Sequence, residues 1–356
     1  MDADRQALSA ARPSIVVDGQ AQVKLSSGLL RMTLEDTENA IAAATLEFGN
    51  WGATPRGNPG FLWFDRSLLD FGKAVEVKLG DEKLFEGRIS ALDGRFPTQA
   101  PPTLVVRAED RLQDLRMTRR SRLFTQSTLS DIARRVAQDH GLTLDGSFSG
   151  ATLAVAAQVN QSDLAFLRGL ALREDADLWV EGTTLKLAAR GSRTSSGLTL
   201  TWGARLHAFD VSADLAHQRT AVVVGGWDVA GKQALSGRAE AGVLSGEVGQ
   251  GDSGPAVLQQ AFGERVDTLA HQVAFDAGSA RAFAEAHLRT LGRRFVRGHG
   301  TADLDARLRV GRRVQLDGLG PLFSGEYSVV AVRHRFDNAA GARTEFTAER
   351  PALGRP

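Results

Sequence analysis

One stretch of the chain combines residues that could bind nucleotide phosphates. It reads VVVGGWDVAGKQ, from Val222 to Gln233, and places Gly226, Gly231 and Lys232 close to the spacing of a P-loop. A P-loop also needs a Ser or Thr hydroxyl for magnesium after the lysine, and a helix whose N-terminus faces the phosphates. Position 233 is Gln, and the following SGRAEAGVLSGEVGQG offers no such helix. The pattern therefore predicts a strand, a Gly-Gly bend and a polar hairpin loop.

A second stretch, GDSGP, copies most of the segment around the nucleophile of chymotrypsin-like serine proteases. As a nucleophile, Ser253 would need a histidine and an aspartate within reach. Pro255 stands where a second glycine would offer its N–H, and proline has none. The seven histidines, at positions 140, 207, 217, 271, 287, 299 and 334, lie in no sequence context like the catalytic one. We therefore expect no protease.

Other patterns for chemistry are weaker. GQGDSG, at 249–254, fits G-x-G-x-x-G, but no βαβ unit surrounds it, so a flexible loop is predicted. The sequence has no H-E-x-x-H, no calcium-loop spacing, no close His pair and no cysteine, and we expect neither a metal nor a cofactor. Among 42 acidic residues some glycosidase-type carboxylate pair can always lie close in space, but the sequence identifies none. This absence of a convincing site favours a structural protein over an enzyme.

The composition is typical of a soluble globular protein. The 356 residues allow two or three domains, 42% of them are hydrophobic and 24% charged, and the net charge of +1 gives no overall attraction to nucleic acid or anionic membranes. The N-terminal MDADRQALSAARP has acidic residues where a signal peptide has basic ones, and no run approaches the roughly 20 apolar residues of a membrane helix. We expect no general secretion, and contact with membranes only through partners.

Alternating patterns predict strands at both ends of the chain. Period-2 runs separated by turn signals fill residues 14–106 and return after residue 192, for example in VAVRHRF at 330–336. Both parts are interpreted as mostly antiparallel β regions. GNWGATPRGNPGF, at 49–61, and the Gly-, Ala- and Ser-rich stretch at about 237–255 predict long loops, and a helix is predicted at about 279–295.

Two helices with clear start and stop signals lie between the β regions. In STLSDIARRVAQDHGL the apolar residues recur at helical spacing, with Ser127 as the N-cap and Gly141 just after the helix. In NQSDLAFLRGLALREDADLWV the cap is Ser162, and Phe166 and Leu167 belong to the apolar stripe. These helices and the strands that follow predict an α+β insert.

Four arginines crowd together before the first of these helices. They are Arg116, Arg119, Arg120 and Arg122. Because no aromatic residues are interleaved with them, the cluster predicts a solvated linker or a salt-bridged contact rather than a nucleic-acid site.

One segment carries a resemblance to a known family. VNQSDLAFLRGLA, from Val159 to Ala171, resembles the most recognisable part of the phage late control D family, the tail hub proteins of contractile phages, tailocins and extracellular contractile injection systems. The valine-glycine repeat hubs of type VI secretion are distant relatives of that family. Further segments that look like the family are SDIARRVAQDHGL, LFEGRISAL, VVRAEDRLQDLR, VVVGGWD and LFSGEYSVVAVRHRFD, so the resemblance spans nearly the whole chain.

The resemblance implies a fold and a set of structural positions. The fold is α+β and mostly β, with two tube-protein-like antiparallel β-barrel domains at 1–118 and 192–356 and a two-helix α+β insert at 119–191. GGWD then lies at the start of the second β region, and Lys232 is a solvent-facing turn residue. The structural positions are Gln158, Asn160, Ser162, Asp163, Phe166, Leu167, Gly226, Trp227, Asp228, Gly325 and Tyr327.

The resemblance also implies a role and partners. It indicates a non-enzymatic baseplate hub, a homotrimeric ring with an open channel that joins a hexameric inner tube to a separate trimeric spike and contacts other baseplate proteins. Such a hub is assembled in the bacterial cytoplasm, joins a phage tail or injection particle, inserts into no membrane before firing and binds no nucleic acid. No spike is expected within this chain, and the four clustered arginines are expected to contact a neighbouring subunit or the tube protein.

Two other functions remain open at this stage. One is a hydrolase of cell-wall polymer whose carboxylates the sequence does not identify. The other is a carbohydrate- or receptor-binding β module. Release of fragments from peptidoglycan would favour the hydrolase, and the oligomeric mass tests the hub.

Overall fold

The fold is built mainly from strands. The structure is a computed structural model that describes residues 12–355 apart from 55–56, 147, 229–230, 250, 271–273 and 275. Strands take up 49% and helices 22%, so the prediction of a mostly β, α+β fold is confirmed. Among these residues, no helix has the length and apolar character needed to cross a membrane.

The first part of the chain forms strands and one short helix. In β3 and its neighbours, apolar residues alternate between the core and the solvent, as the sequence pattern predicts. The predicted long loop at 49–61 is partly wrong, because it contains the β5–β6 hairpin. The elements are β1 (Ser14–Val17), β2 (Gln20–Ala21), α1 (Val23–Ser27), β3 (Leu29–Thr37), β4 (Ala43–Gly49), β5 (Trp51–Ala53), β6 (Pro59–Phe61), β7 (Ala74–Leu79), β8 (Glu82–Arg95) and β9 (Thr103–Glu109).

The middle of the chain contains the two predicted helices. The first begins one residue later than predicted, because Thr128 is its N-cap and exchanges hydrogen bonds with Asp131, whereas the Ser127 hydroxyl donates to the Thr125 carbonyl. The second has the predicted cap, Ser162. The elements are α2 (Leu112–Arg116), β10 (Arg119–Ser127), α3 (Leu129–Asp139), β11 (Thr143–Asp145), β12 (Leu153–Ser162), α4 (Asp163–Arg173), β13 (Ala176–Glu181), β14 (Thr184–Ala189) and a 3₁₀ turn (Arg190–Ser192).

The last part of the chain is more regular than the sequence suggests. The predicted loop at 237–255 is wrong, because a strand end, two short helical turns and the start of a helix lie there. Ser253 is the N-cap of that helix, and Pro255 lies in its first turn. The elements are β15 (Ser195–Thr201), β16 (Leu206–Ala213), β17 (Ala221–Asp228), β18 (Gln233–Glu240), a 3₁₀ turn (Ala241–Leu244), α5 (Ser245–Val248), β19 (Asp252–Ser253), α6 (Gly254–Phe262), β20 (Val266–Leu269), α7 (Ala277–Arg293), β21 (Val296–Asp303), β22 (Arg313–Asp317), α8 (Gly320–Phe323), β23 (Gly325–Asp337), β24 (Gly341–Arg350) and β25 (Ala352–Leu353).

A single sheet joins the two β regions. Its order is β16-β21-β24-β23-β3-β4-β9-β8-β7-β1-β2, and β15 is attached through β22, which pairs with β23. The two regions meet where β23 pairs antiparallel with β3, from Ala331 opposite Thr37 to Asp337 opposite Arg31. One hydrophobic core surrounds Phe48 and includes Leu304, Phe336 and Ala342 of the second region, and another surrounds Tyr327 in the second region.

A second α+β insert interrupts the second β region. The sequence places β17 at the start of that region, and this placement is wrong, because β17 lies in a separate sheet of order β18-β17-β20. Val222 and Val224 of β17 share a core with Phe283 of α7, so the strand buries its apolar face against a helix rather than against the large sheet. The approach of α7 is close, since a Cβ on Gly237 would overlap the helix backbone.

We predict that Leu167→Ala lowers the free energy of unfolding by about 2–5 kcal/mol, because a buried leucine leaves a cavity that the core fills only in part. Leu167 is fully buried in the core of the first insert. Urea denaturation measures the change. Leu172→Ala on the same helix is the matched control, because Leu172 is 53% exposed. A loss below about 0.5 kcal/mol for Leu167→Ala would show that this helix face is not packed.

Candidate functional site

A buried carboxylate, Asp163, lies at the start of α4 and gathers four side chains around it. Its Oδ1 accepts hydrogen bonds from Gln158 Nε2 at 2.9 Å and Arg122 Nη2 at 2.7 Å. Its Oδ2 lies 2.8 Å from His140 Nε2 and 3.3 Å from Arg120 Nε. The network ties the β10–β12 ribbon to both helices of the first insert.

The charge of Asp163 is stabilised by these partners. Burial alone would raise the pKa of its carboxyl, but the hydrogen bonds from His140 and Gln158 and the charges of Arg122 and Arg120 outweigh burial and lower that pKa. The carboxylate is therefore ionised at neutral pH. The fold tolerates this buried charge because both carboxylate oxygens of Asp163 have hydrogen-bond or ion-pair partners.

The structure shows where the four clustered arginines lie. Arg120 and Arg122 bind Asp163, and Arg122 Nη1 also donates to Asp139 at 2.6 Å. Arg116 pairs with Glu109 at 2.9 Å, and Arg119 donates to the Asn160 carbonyl at 3.3 Å. All four thus have partners within the chain. The sequence could not reveal this, since the Arg122–Asp163 pair is separated by 41 residues.

The other motif residues of this segment shape the same corner. Ser162 Oγ accepts from the Ala165 amide at 3.2 Å and caps α4. Asn160 has a φ of 47°, a left-handed conformation that asparagine tolerates. Phe166 stacks on Phe124 of β10 with ring centroids 5.7 Å apart. The six predicted positions between Gln158 and Leu167 therefore belong to one structural unit, the junction between β12 and α4.

The remaining predicted positions lie elsewhere. On β17, Gly226 faces Ala274, Trp227 is 58% exposed, and Asp228 Oδ1 accepts from the Gly231 amide at 2.9 Å. On β23, Tyr327 belongs to the core of the second β region.

In that core Tyr327 is fully buried, and its hydroxyl donates to the Phe323 carbonyl at 2.7 Å. Burial raises its pKa to about 12, although the charge of Arg350 opposes the shift. The arginine guanidinium lies over the ring, 4.8 Å from the centroid. Gly325, with a φ of 142°, begins the strand.

A second ion network joins the two inserts. Arg293, at the end of α7, binds both carboxylate oxygens of Asp175, with Nη2 to Oδ2 at 2.7 Å. It also binds both oxygens of Glu247 at 2.7 Å. Burial would lower the pKa of Arg293, but its hydrogen bonds to the two carboxylates raise it on balance. Such bidentate pairs fix orientation as well as distance.

A cavity of about 810 Å³ lies where the first β region, the first insert and the second β region meet. Its lining includes Leu34 and Asp36 from β3, Val332 and His334 from β23, and Asp110 after β9. Burial raises the pKa of Asp36 to about 6 and that of Asp110 to about 7. Burial also lowers the pKa of His334 to about 4, so its imidazole is neutral at pH 7.

Several functional candidates were missed by the sequence patterns. His140, Asp139, Asp36, Asp110 and His334 occur in no motif that indicates chemistry. Only the register of β3 on β23 places Asp36 near His334, and only the fold brings His140 to Asp163.

Of the patterns that could indicate catalysis, the protease-like stretch has a structural role. Ser253 Oγ accepts from the Ala256 amide at 3.3 Å as a helix cap. Val229 and Ala230 of the P-loop-like stretch, Gln250 of the glycine-rich match, and His271 lie outside the described residues. In the ranges that the structure covers, no group of three or more His, Asp or Glu is arranged to hold a metal ion.

We predict that Asp163→Asn lowers the free energy of unfolding at pH 7 by about 3 kcal/mol, because Arg122 and Arg120 lose their buried counter-charge. Since the folded-state pKa of Asp163 lies below its ordinary value near 3.9, its stabilisation is present above about pH 4 and is lost as the pH falls through the folded-state pKa. Urea denaturation measures the free energy of unfolding of Asp163→Asn and of the unmodified chain at pH 7 and pH 3. The difference between the two proteins should be smaller at pH 3 than at pH 7. Asp145→Asn, whose side chain is 66% exposed, is the control. Equal stability of Asp163→Asn and the unmodified chain at pH 7 would contradict this role.

Solved structures with a similar fold are tail and secretion proteins. The 43 kDa tail protein of prophage MuSo2 from Shewanella oneidensis matches with a TM-score of 0.71 and 14% identity, over 97% of this chain and 100% of that one. A tail protein from Neisseria meningitidis MC58 matches with a TM-score of 0.70 and 14% identity, over 96% and 97%. The E. coli c3393 protein matches with a TM-score of 0.59 and 12% identity, over 96% of this chain and 79% of that one. It is described as a component of the type VI secretion system with structural similarity to the T4 bacteriophage tail proteins gp27 and gp5. These likenesses concern the fold.

Comparison by sequence gives a family but no individual relative. No curated protein matches the chain. A family model described as the Alg8 N-terminal domain matches residues 8–338. Because that match covers most of the 356 residues, the chain belongs to the family of the Alg8 N-terminal domain.

Proposed function

We propose that this chain is a structural hub of a phage tail, tailocin or contractile injection particle, which joins an inner tube to a spike. The observation that supports this most is the shared fold with two tail proteins over 97% and 96% of the chain. The late control D resemblance of VNQSDLAFLRGLA agrees with it, and the Asp163 network makes that segment a structural corner rather than a reactive site. The hub is not an enzyme in this proposal.

The two β regions suggest how such a hub would match its partners. The β3 side of the β3–β23 junction contributes seven strands and the core around Phe48, and the β23 side contributes six strands and the core around Tyr327. We infer that each side corresponds to one tube-protein-like barrel, the first within 1–118 and the second within 192–356, separated by the insert at 119–191. Three chains would then present six barrels to a hexameric tube, while the opposite face would keep the three-fold symmetry of a spike. A closed ring of this kind needs a heterologous interface repeated around an axis.

The contacts that join the parts of the chain are suited to a protein that transmits force. The β3–β23 ladder joins the β regions, and the Arg293 clamp joins the inserts. A hub at the tip of a contracting particle would be pushed outward as one unit, together with its spike. In this proposal the chain would be assembled in the bacterial cytoplasm, with other baseplate proteins as neighbours and no nucleic acid bound.

We predict three copies of this chain per particle, arranged as a ring with an open channel between a hexameric tube protein and a separate spike. The reason is that two similar barrels per chain match six tube subunits only in a trimer. Electron microscopy of the assembled particle, or mass measurement of the chain with its tube and spike partners, counts the copies. Six copies, or one, would contradict the adaptor mechanism.

The hydrolase alternative now has two candidate carboxylates. Asp36 and Asp110 line one cavity, and the charge of Asp36 is among the causes that raise the pKa of Asp110. A raised pKa is what a general acid needs. For the hub we nevertheless expect purified chain to release no fragments from peptidoglycan, as judged by soluble muropeptides. Release that disappears in Asp36→Asn or Asp110→Asn, while persisting in Asp337→Asn, would replace the hub with a hydrolase.

The carbohydrate-binding alternative is not favoured by the exposed aromatic residues. Trp51, Phe61 and Phe96 are about half exposed or more and lie together beside the β5–β6 hairpin. Their rings meet edge to face, at 82° between Trp51 and Phe61 and at 85° between Phe61 and Phe96. A sugar ring stacks on an exposed aromatic face. Because the rings of Trp51, Phe61 and Phe96 pack edge to face, they form no common flat surface on which a sugar could stack. This cluster better suits a protein contact.

A further inference from the structure

The floor of the cavity is the junction between the two β regions. Asp36 lies opposite Val332 in the β3–β23 ladder, and His334 is two residues further along β23. Residues two apart on a strand point to the same face, so Asp36, Val332 and His334 face the cavity together. Diagonal neighbours of this kind have Cα atoms about 7–8 Å apart, close enough for one ligand group to reach both side chains.

More acidic than basic side chains line the cavity. Seven carboxylates and five cationic side chains line it. Several of these pair with one another, such as Glu38 and Asp177 with Arg193. Across the described part of the chain, neither Asp36 nor Asp110 forms an ion pair within 4 Å. Within the described residues, the Asp110 carboxylate accepts hydrogen bonds from two backbone N–H groups, those of Ala42 at 3.0 Å and Leu112 at 2.8 Å.

Two arginines act on these carboxylates through their charges without forming an ion pair with them among the described residues. Arg309 acts on Asp36 through its charge, but its guanidinium donates to the backbone carbonyls of Ala306 and Lys83. Arg168 acts on Asp110 in the same way, although its side chain does not line the cavity. Glu38 opposes ionisation of Asp36. The two carboxylates therefore face the cavity without a direct counter-charge.

His334 adds a hydrogen-bonding atom at the same place. It is 5% exposed, and its Nδ1 lies 2.9 Å from Thr344 Oγ1. Among the described residues no partner is found for its Nε2. Because Arg309 and burial keep the imidazole neutral, Nε2 can accept a hydrogen bond when Nδ1 carries the proton.

We propose that this cavity binds the cationic head of a lysine or arginine side chain presented by a partner protein. An ammonium or guanidinium group carries several N–H donors and no acceptor, which matches two carboxylates and an accepting imidazole nitrogen. The apolar lining, with Leu84, Val180, Leu308 and Val310, suits the aliphatic stem of such a side chain. A volume of about 810 Å³ also admits the residues next to it in a short loop. This inference goes beyond the hub role, because it names a specific acidic pocket and the side chain that fills it.

The test compares two peptides that differ only in charge. Acetyl-Gly-Lys-Gly-amide and acetyl-Gly-norleucine-Gly-amide are titrated into the full chain at pH 8 by calorimetry, and the half-exposed Trp179 of the cavity lining gives a fluorescence readout. We expect the lysine peptide to bind at least about tenfold more tightly, since norleucine keeps the stem and lacks the charge. Failure of both peptides to bind, or equal binding of the two, would overturn the proposal.

Substitutions locate the binding. Asp36→Asn is expected to lower the affinity for the lysine peptide by about tenfold or more. Asp110→Asn is expected to lower this affinity as well. Asp36→Asn should remain folded, because it removes a carboxylate whose charged form burial disfavours. Asp337→Asn, on an exposed carboxylate outside the cavity, is the control and should bind like the unmodified chain. Unchanged binding in Asp36→Asn would overturn the site.

The pH dependence gives a test that needs no substitution. Asp36 and Asp110 take up protons as the pH falls through about 6 and about 7, while His334 stays neutral down to about 4. The charges that act on these groups are those of Arg309, Glu38, Arg168 and Asp305, and the charge of Asp36 also acts on Asp110. Affinity for the lysine peptide should therefore drop between pH 8 and pH 5. Affinity that stays constant over this range would contradict a role for the two carboxylates.

Discussion

The pairing of β3 with β23 is the interaction on which the architecture depends. It joins strands more than 290 residues apart in sequence into one continuous sheet, from Thr37 opposite Ala331 to Arg31 opposite Asp337. Without it, the two β regions would be separate sheets with their own cores. The same ladder makes Asp36 and His334 diagonal neighbours and so forms the floor of the cavity. One backbone register thus determines both the continuity of the sheet and the chemistry of the cavity.

Buried charges attach the first insert to this sheet and join the two inserts to each other. Each insert has its own hydrophobic cluster, one around Leu167 and one around Val222. Glu38, after β3, binds Arg190 and Arg193 at the end of the first insert, and Arg293 binds Asp175 and Glu247 across the two inserts. Apolar contacts tolerate sliding, whereas bidentate ion pairs fix relative orientation. Four separate cores are therefore held in defined positions by a small number of arginines.

The sequence could predict what depends on local patterns. The Ser162 cap, the buried face of α4 and the mostly β composition all follow from short-range periodicity and capping chemistry. It could not predict the partner of β17, because alternation shows that one face is buried and does not show what covers it. It could not predict the Asp163 site either, since Arg122 lies 41 residues away and a basic run looks the same whether its charges are free or paired. The acidic cavity depends on a register between distant strands, which no local pattern contains.

The long separation between β3 and β23 has a consequence during synthesis. Arg31 of β3 and its partner Asp337 are 306 residues apart, so at about 5–20 residues per second the ribosome needs roughly 15–60 s to supply the second strand. For that time the nascent chain carries β3 as an unpaired edge strand, which invites pairing with other nascent chains. The edge is protected by its own charges, because Arg31 and Glu35 occupy solvent-facing positions of β3 and Asp36 places a carboxylate in the phase of the apolar residues. A wrong pairing would have to bury these charges. Residues that later form the junction thus first serve as gatekeepers against aggregation.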